Sequence, residues 1–494
     1  MLEEIREKHF SLLMVVGFVL LAAFIANFFL IMSGPGYWHF TDIGAYLSRS
    51  FFAVEQGFFA EIPFWNHGYG YISFEIYPIL FFLVNTIVFH ALSLFGVSSI
   101  YWSFFVTFLL SYVFAFVATW KISKKSSLAY LLAVGNFFSL GMLVLMGFNT
   151  KIFTFNLIFP AMVYLLDRRN SLELNKWNIA GLSIVLAAAF ASHFFMFVLF
   201  AILYLSVLAQ NRKQIVKGLV PFALVPVLTL PYFVNFVLSL GSSLSTSGIP
   251  PKLIGMSFNL YTATLVLFVL LFLVSRERVL AVFGILAAIF ALNLNGMVPI
   301  VRSLETHTAT FFLLGIICYY FVNFDLVGKL SLRGKIKMPA LVGRRNVLVA
   351  GLFVLLLLNF VYFPGRIEQA NLFNNPDYKE LLEFGELEGV FLVADIEGVD
   401  GSISPFVSYQ TFKFQNFSVN DWFPVGRSHA AFVKDRDAVV EAVKAGNCNA
   451  FSLLVDKMQL KTIVLKNAPD DFSCGLKLEA NLGKFKVFKA SLEN

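Results

Sequence analysis

Charge is what this 494-residue chain has least of: 14% of its residues are Asp, Glu, Lys or Arg, against 58% hydrophobic. A soluble domain of this length needs a charged shell that is missing here, and the mean hydropathy is +0.77. The composition therefore excludes a soluble globular protein and reads as a polytopic membrane protein. Cysteine is nearly absent, with three residues, too few for a disulfide scaffold or a zinc cluster. There is no Walker loop, GxSxG, HExxH or paired CxxC, so a nucleotide-driven pump, a serine hydrolase and a zinc protease have no support. No internal repeat is visible, which counts against a transporter built of two halves. The net charge is +7, but the basic residues sit in short loops between apolar runs. They read as topology determinants and not as a nucleic-acid surface.

What is present is a series of apolar runs long enough to span a bilayer: 10–32, 99–120, 127–147, 152–167, 178–192, 194–209, 218–239, 258–275, 279–294, 307–324 and 346–363. The first lacks a small-residue cleavage site and reads as a retained helix. The basic clusters are Lys121/Lys124/Lys125, Arg168/Arg169/Lys176, Arg212/Lys213/Lys217, Arg276/Arg278 and the run from Lys329 to Arg345. All of them, with the N-terminus, fall on the cytoplasmic side only if the further apolar segment 74–96 does not cross. Its Glu75, Pro78, Asn85 and His90 suit a helix at the outer interface. The expectation is about eleven crossings, with the C-terminus outside the cell.

The outward segments then carry Asp42, Arg49, Glu55, Glu61, His67, Glu75, Lys151, His193, Lys252, Arg302, Glu305 and His307. Ionisable groups at the ends of spans need a wet cavity or a partner, which places the function on the outer face. Mid-span positions read as nearly all apolar. From 364 the long apolar runs stop, and helix 377–385, strand 389–395, helix 447–459 and strands 461–466 and 484–489 read as a small α/β domain. The expected division is thus a membrane domain over 1–363 and an extracytoplasmic domain over 364–494. Cys448 and Cys474 fall in the latter and either bridge or stay as free thiols, and Asn416-Phe417-Ser418 is a glycosylation sequon. Asp395, Glu397 and Asp400 read as a polar turn sooner than as a calcium site.

Each candidate has two readings. Asp42, at a helix start with Arg49 on the same face, is a general base, a metal ligand or a capping acid. His67 lies in the aromatic–glycine turn Trp65–Gly70, which suits a sugar or the membrane interface. Arg302 has the fork for a phosphate, or pairs with Glu305 one turn on. Lys151 and His193 either touch a lipid phosphate or, for Lys151, snorkel to water.

The order of these features resembles the GT-C superfamily of membrane glycosyltransferases. The resemblance rests on Thr41-Asp42, Leu47-Ser48-Arg49, Trp65-Asn66, Tyr77-Pro78-Ile79-Leu80, Phe159-Pro160, Ser192-His193, the Pro299…Arg302 loop and the helix–strand pair 451–465. It is nearest the YfhO-like proteins, also labelled 6-pyruvoyl-tetrahydropterin synthase-related membrane proteins. It implies a mainly α, polytopic GT-C-like domain with a small α/β domain, and sugar transfer from a polyprenyl-phosphate carrier to a saccharide, lipid or protein acceptor. It maps the catalytic acid onto Asp42 and the carrier-phosphate contacts onto Arg302, Lys151 and Arg49. Glu75, His67, His193, Glu305 and His307 would line the cavity. Many members carry two adjacent acids at the first position. Here a second would come from Glu55, Glu61 or Glu75, so a divalent cation such as Mg or Mn on Asp42 is an open expectation. Two other readings stand beside it: a non-catalytic GT-C-like subunit of an envelope polysaccharide or glycolipid system, and a lipid or solute transporter.

Overall fold

The computed structural model describes the stretches 43–55, 79–139, 150–230, 278–291, 306–323, 384–397 and 427–490, with single positions among 17–25, 232–237 and 379–382 and at 410. The chain divides into two compact units. One comprises Met1–Phe28, Val106–Leu230 and Gly248–Phe363; the other comprises Phe29–Phe105, Pro231–Ser247 and Pro364–Asn494.

The described helices follow the apolar runs: α1 (Ile43–Glu55), α2 (Ile79–Ser93), α3 (Ile100–Ile122), α4 (Ser126–Ser139), α5 (Thr150–Asp167), α6 (Lys176–Ser192), α7 (Phe194–Gln210), α8 (Ile215–Leu228), α9 (Arg278–Ala291) and α10 (Thr306–Asn323). Among the described residues, α3 is by itself long and apolar enough to cross a membrane; α7 and α8 pass the same test together but bend by 115° at Asn211. The expected runs 10–32, 258–275 and 346–363 and the sequon at Asn416 lie mostly or wholly outside the described residues.

In the first unit, α5 is the central element. Its face is covered by α6, α7 and α10, and α10 also packs along α4. Close approach of α5 and α10 requires Gly315, where an added Cβ would sit 2.8 and 2.9 Å from the Phe155 ring and 3.2 Å from Met162. The break between α6 and α7 falls at His193, as the sequence indicates. Its backbone is extended, and its imidazole Nδ1 accepts from Met196 N at 3.4 Å, capping α7.

The interior is not as apolar as the sequence led us to expect. Asn156 on α5 accepts a hydrogen bond from the Tyr130 hydroxyl of α4 at 2.9 Å and donates to Ser111 Oγ of α3 at 2.9 Å; Ser111 in turn donates to the Phe108 carbonyl. All three residues are buried. Three helices are thus joined by polar bonds.

In the second unit, α1 packs on α2 with Tyr46 against Phe81 and Phe82. The polar C-terminal part forms a four-stranded sheet of β1 (Phe391–Asp395), β2 (Thr462–Lys466), β3 (Lys477–Leu482) and β4 (Phe485–Lys489), in the order β1-β2-β4-β3. β1 and β2 are parallel, and the other pairs antiparallel. The crossover between β1 and β2 carries α11 (Arg427–Lys444) and α12 (Cys448–Lys457). One face is sealed by Leu381, Leu387, Phe391, Val393, Val464, Phe485 and Val487. Cys448 and Cys474 are disulfide-bonded, with Cα atoms 4.9 Å apart. Sequence reading overlooked α11 and the edge strand β3, whose side chains are mostly exposed and so lack an apolar alternation. It also misjudged Asp395. This carboxylate is no solvated turn: it is buried, 3.3 Å from Lys466 Nζ, and accepts from Asn467 Nδ2.

Candidate functional site

The geometry of the first unit follows from a knot of hydrogen bonds at one end of α5, α7 and α10. Tyr319 near the end of α10 donates to Asp167, the last residue of α5. Asn211, which caps the end of α7, donates to the Arg169 carbonyl at 2.7 Å and accepts from Leu172 N at 3.1 Å. Asn323 donates to Ser126 Oγ at the start of α4. Higher up, Gly315 of α10 rests between Phe155 and Met162 of α5, so α5 and α10 run parallel and in step. All three helices touch one another and have 18, 17 and 18 residues. At 1.5 Å per residue they end about 25 Å from the knot. Their N-terminal ends therefore lie toward the opposite end of the unit.

That end carries Thr150 and Lys151 of α5, Ser192 and His193 at the α6–α7 break, and the first turn of α10 with His307 and Thr308. Lys151 is 5% exposed and His193 2% exposed, and Thr150, Ser192 and Thr308 are buried as well. Lys151 is thus enclosed by protein, whereas a snorkelling side chain holds its ammonium in water. A cation in the first turn also works against the helix dipole, by about 0.3–1 kcal/mol, so helix stability does not explain it. A helix N-terminal end carries partial positive charge. The buried ammonium of Lys151 adds to that charge in the first turn of α5. The Ser192 hydroxyl, buried here, has no hydrogen-bond partner among the described residues.

His193 has a structural duty as the cap of α7, which accounts for one of its two ring nitrogens. Arg49 lies in α1 and His307 in α10, where the helical backbone alone is described. Asp42, His67, Glu75, Arg302 and Glu305 lie outside the described residues. Arg302 and Glu305 precede α10 in the sequence. Among the described residues no three His, Cys, Asp or Glu gather in a way that would hold a metal, and Asp42 is not among them.

The C-terminal part of the second unit has its own charged surface. The Lys489 ammonium, 2.6 Å from Glu388 and donating to it, holds that carboxyl below its usual range, and the same bond raises Lys489. Lys486 acts likewise on Asp470.

The fold has a counterpart among solved structures. The crystal structure of ArnT from Cupriavidus metallidurans bound to undecaprenyl phosphate matches with a TM-score of 0.51 at 13% identity, covering 96% of this chain and 97% of that one. The apo state of the same protein matches with a TM-score of 0.47 at 12% identity, over 92% and 93%. No protein-family model and no curated protein sequence matches the chain. The chain thus shares the fold of ArnT, mostly helical with a small sheet.

Proposed function

We propose that this protein is an integral-membrane glycosyltransferase that moves a sugar from a polyprenyl-phosphate carrier to an acceptor on the extracytoplasmic face. What supports the reading is the burial of Lys151 in the first turn of α5, in a chain with the fold of ArnT, whose structure holds undecaprenyl phosphate. Asp42 acts as general base. It takes the proton of an acceptor hydroxyl as that oxygen bonds to the anomeric carbon, while the bond from that carbon to the phosphate oxygen breaks with inversion. Lys151, Arg302 and Arg49, with the helix ends, stabilise the charge that collects on the departing phosphate. His67, Glu75, His193, Glu305 and His307 line the cavity and contact the acceptor. No step is routed through a metal ion.

The protein lies in the plasma membrane in this reading, with about eleven crossings, a cytoplasmic N-terminus and an extracytoplasmic C-terminal domain. Two observations support that orientation. The knot ties the basic loops 121–126, 168–176 and 211–217 together at one end, as the positive-inside rule requires of a cytoplasmic face. The Cys448–Cys474 disulfide suits an oxidising compartment.

The test is turnover in membranes. Purified protein in proteoliposomes, given membrane-extracted lipid-linked sugars, should release free polyprenyl phosphate detectable by mass spectrometry. Asp42→Asn should abolish the release while leaving carrier binding intact. Unchanged release by Asp42→Asn removes the core of the mechanism and favours a non-catalytic envelope subunit.

A further inference from the structure

The end of the first unit remote from Lys151 carries a second charged feature. Asn211 binds the Arg169 carbonyl and Leu172 N, so the loops 168–176 and 211–217 lie side by side. Arg169 turns inward, donating to the Leu166 carbonyl and facing the Tyr320 ring. Arg168, Lys176, Arg212, Lys213 and Lys217 are all exposed. The acids nearby are Asp167, which accepts from Tyr319, and Glu173. Beside these cations stand bare apolar groups: Trp177 is 75% exposed with Lys176 Nζ 5.7 Å from its ring centroid, and Val216 is 83% exposed.

Exposed cations with an exposed tryptophan and valine beside them match a boundary where headgroup meets acyl chain. A soluble anion would satisfy the cations and leave Trp177 and Val216 in water. We propose that this paired-loop surface binds anionic phospholipid headgroups of the leaflet at that end. It rests on the membrane placement above but not on sugar transfer, and it is distinct from the carrier site at the other end of α5 and α7.

The experiment uses the full chain in nanodiscs of mixed phosphatidylcholine and phosphatidylglycerol, with lipids retained on extraction counted by native mass spectrometry. The wild type should retain phosphatidylglycerol well above its share of the bilayer. A cation near a charged leaflet contributes about five-fold, so Arg168→Gln/Arg212→Gln/Lys213→Gln should lower that enrichment by at least about ten-fold. Arg212→Lys/Lys213→Arg and Lys151→Gln should preserve it. For wild type alone, raising salt from about 0.1 to about 0.5 M should erode the enrichment through screening, a readout independent of whether the triple variant inserts correctly. No enrichment, salt-insensitive enrichment, a triple variant like wild type, or loss on Lys151→Gln would each overturn the proposal. Absence of polyprenyl-phosphate release with enrichment intact would count against the transferase alone.

Discussion

Replacing Asn156 by alanine cuts two interhelical bonds at once. The amide accepts from Tyr130 and donates to Ser111, each at 2.9 Å, across α3, α4 and α5. After truncation Ser111 keeps its bond to the Phe108 carbonyl at 2.7 Å, whereas Tyr130 keeps a long one, 3.4 Å, to the Tyr112 carbonyl. Interhelical hydrogen bonds in membranes average roughly 0.6 kcal/mol, with a maximum of about 1.7. Two of them, plus the void left by the amide, amount to about 2 kcal/mol. The asymmetry of hydrogen bonding supplies the control: removing every partner together is much cheaper than orphaning one. Ser111→Ala/Tyr130→Phe/Asn156→Leu should therefore lose less than Asn156→Ala alone. The assay is reversible unfolding in mixed detergent micelles, followed by circular dichroism and converted through the linear denaturant dependence. An Asn156→Ala protein as stable as wild type, or a triple variant that loses more than the single, would refute the account of this network.

Other perturbations test other parts of the structure. Gly315→Ala places a methyl group 2.8 Å from the Phe155 ring; it should cost about 1–3 kcal/mol by forcing α5 and α10 apart and weaken carrier binding without touching any polar group, measured by unfolding and lipid titration. Cys448→Ser should destabilise the C-terminal domain by about 3.5 kcal/mol, from the 26-residue separation that the bridge closes, read as earlier proteolysis and a lower thermal midpoint. The Glu388–Lys489 pair gives a pH dependence with a definite sign. Because Glu388 is depressed by its hydrogen bond from Lys489, its contribution is complete above the ordinary carboxylate range and fades as pH falls through the lowered value. Lys489 is raised, so its share is complete below the ordinary lysine range and fades only as pH climbs through the raised value. Lys489→Met should flatten the acid limb of the domain's stability profile, with carboxyl titration followed by NMR; an unchanged limb would count against the pair.

Much of the helical layout was legible because its cause is local. Apolar runs separated by basic loops mark α3, α5, α7 and α10, and Ser192-His193 interrupts one run with a capping histidine. Strands β1, β2 and β4 show as short apolar or alternating stretches, whereas β3 presents Lys477 and Glu479 to solvent at a sheet edge and leaves no pattern. Asn156 reads as a stray amide in TKIFTFNLIFP, because its partners lie 26 and 45 residues away. The parallel stacking of α5, α7 and α10 was equally hidden, since it depends on where Tyr319, Asn211 and Gly315 meet their partners. Lys151 and His193 were legible as polar residues at the ends of apolar runs. Their burial, and the capping duty of His193, belong to tertiary packing.

The central claim is that Lys151, buried in the first turn of α5, holds a polyprenyl-linked phosphate. Titration of undecaprenyl phosphate into the purified protein in nanodiscs, followed by intrinsic fluorescence and native mass spectrometry, tests it most directly. The account predicts saturable binding that weakens at least about ten-fold in Lys151→Gln, the expected loss of a charge-assisted contact, and persists in Lys151→Arg. Binding that is absent in the wild type, or indifferent to Lys151→Gln, would contradict it.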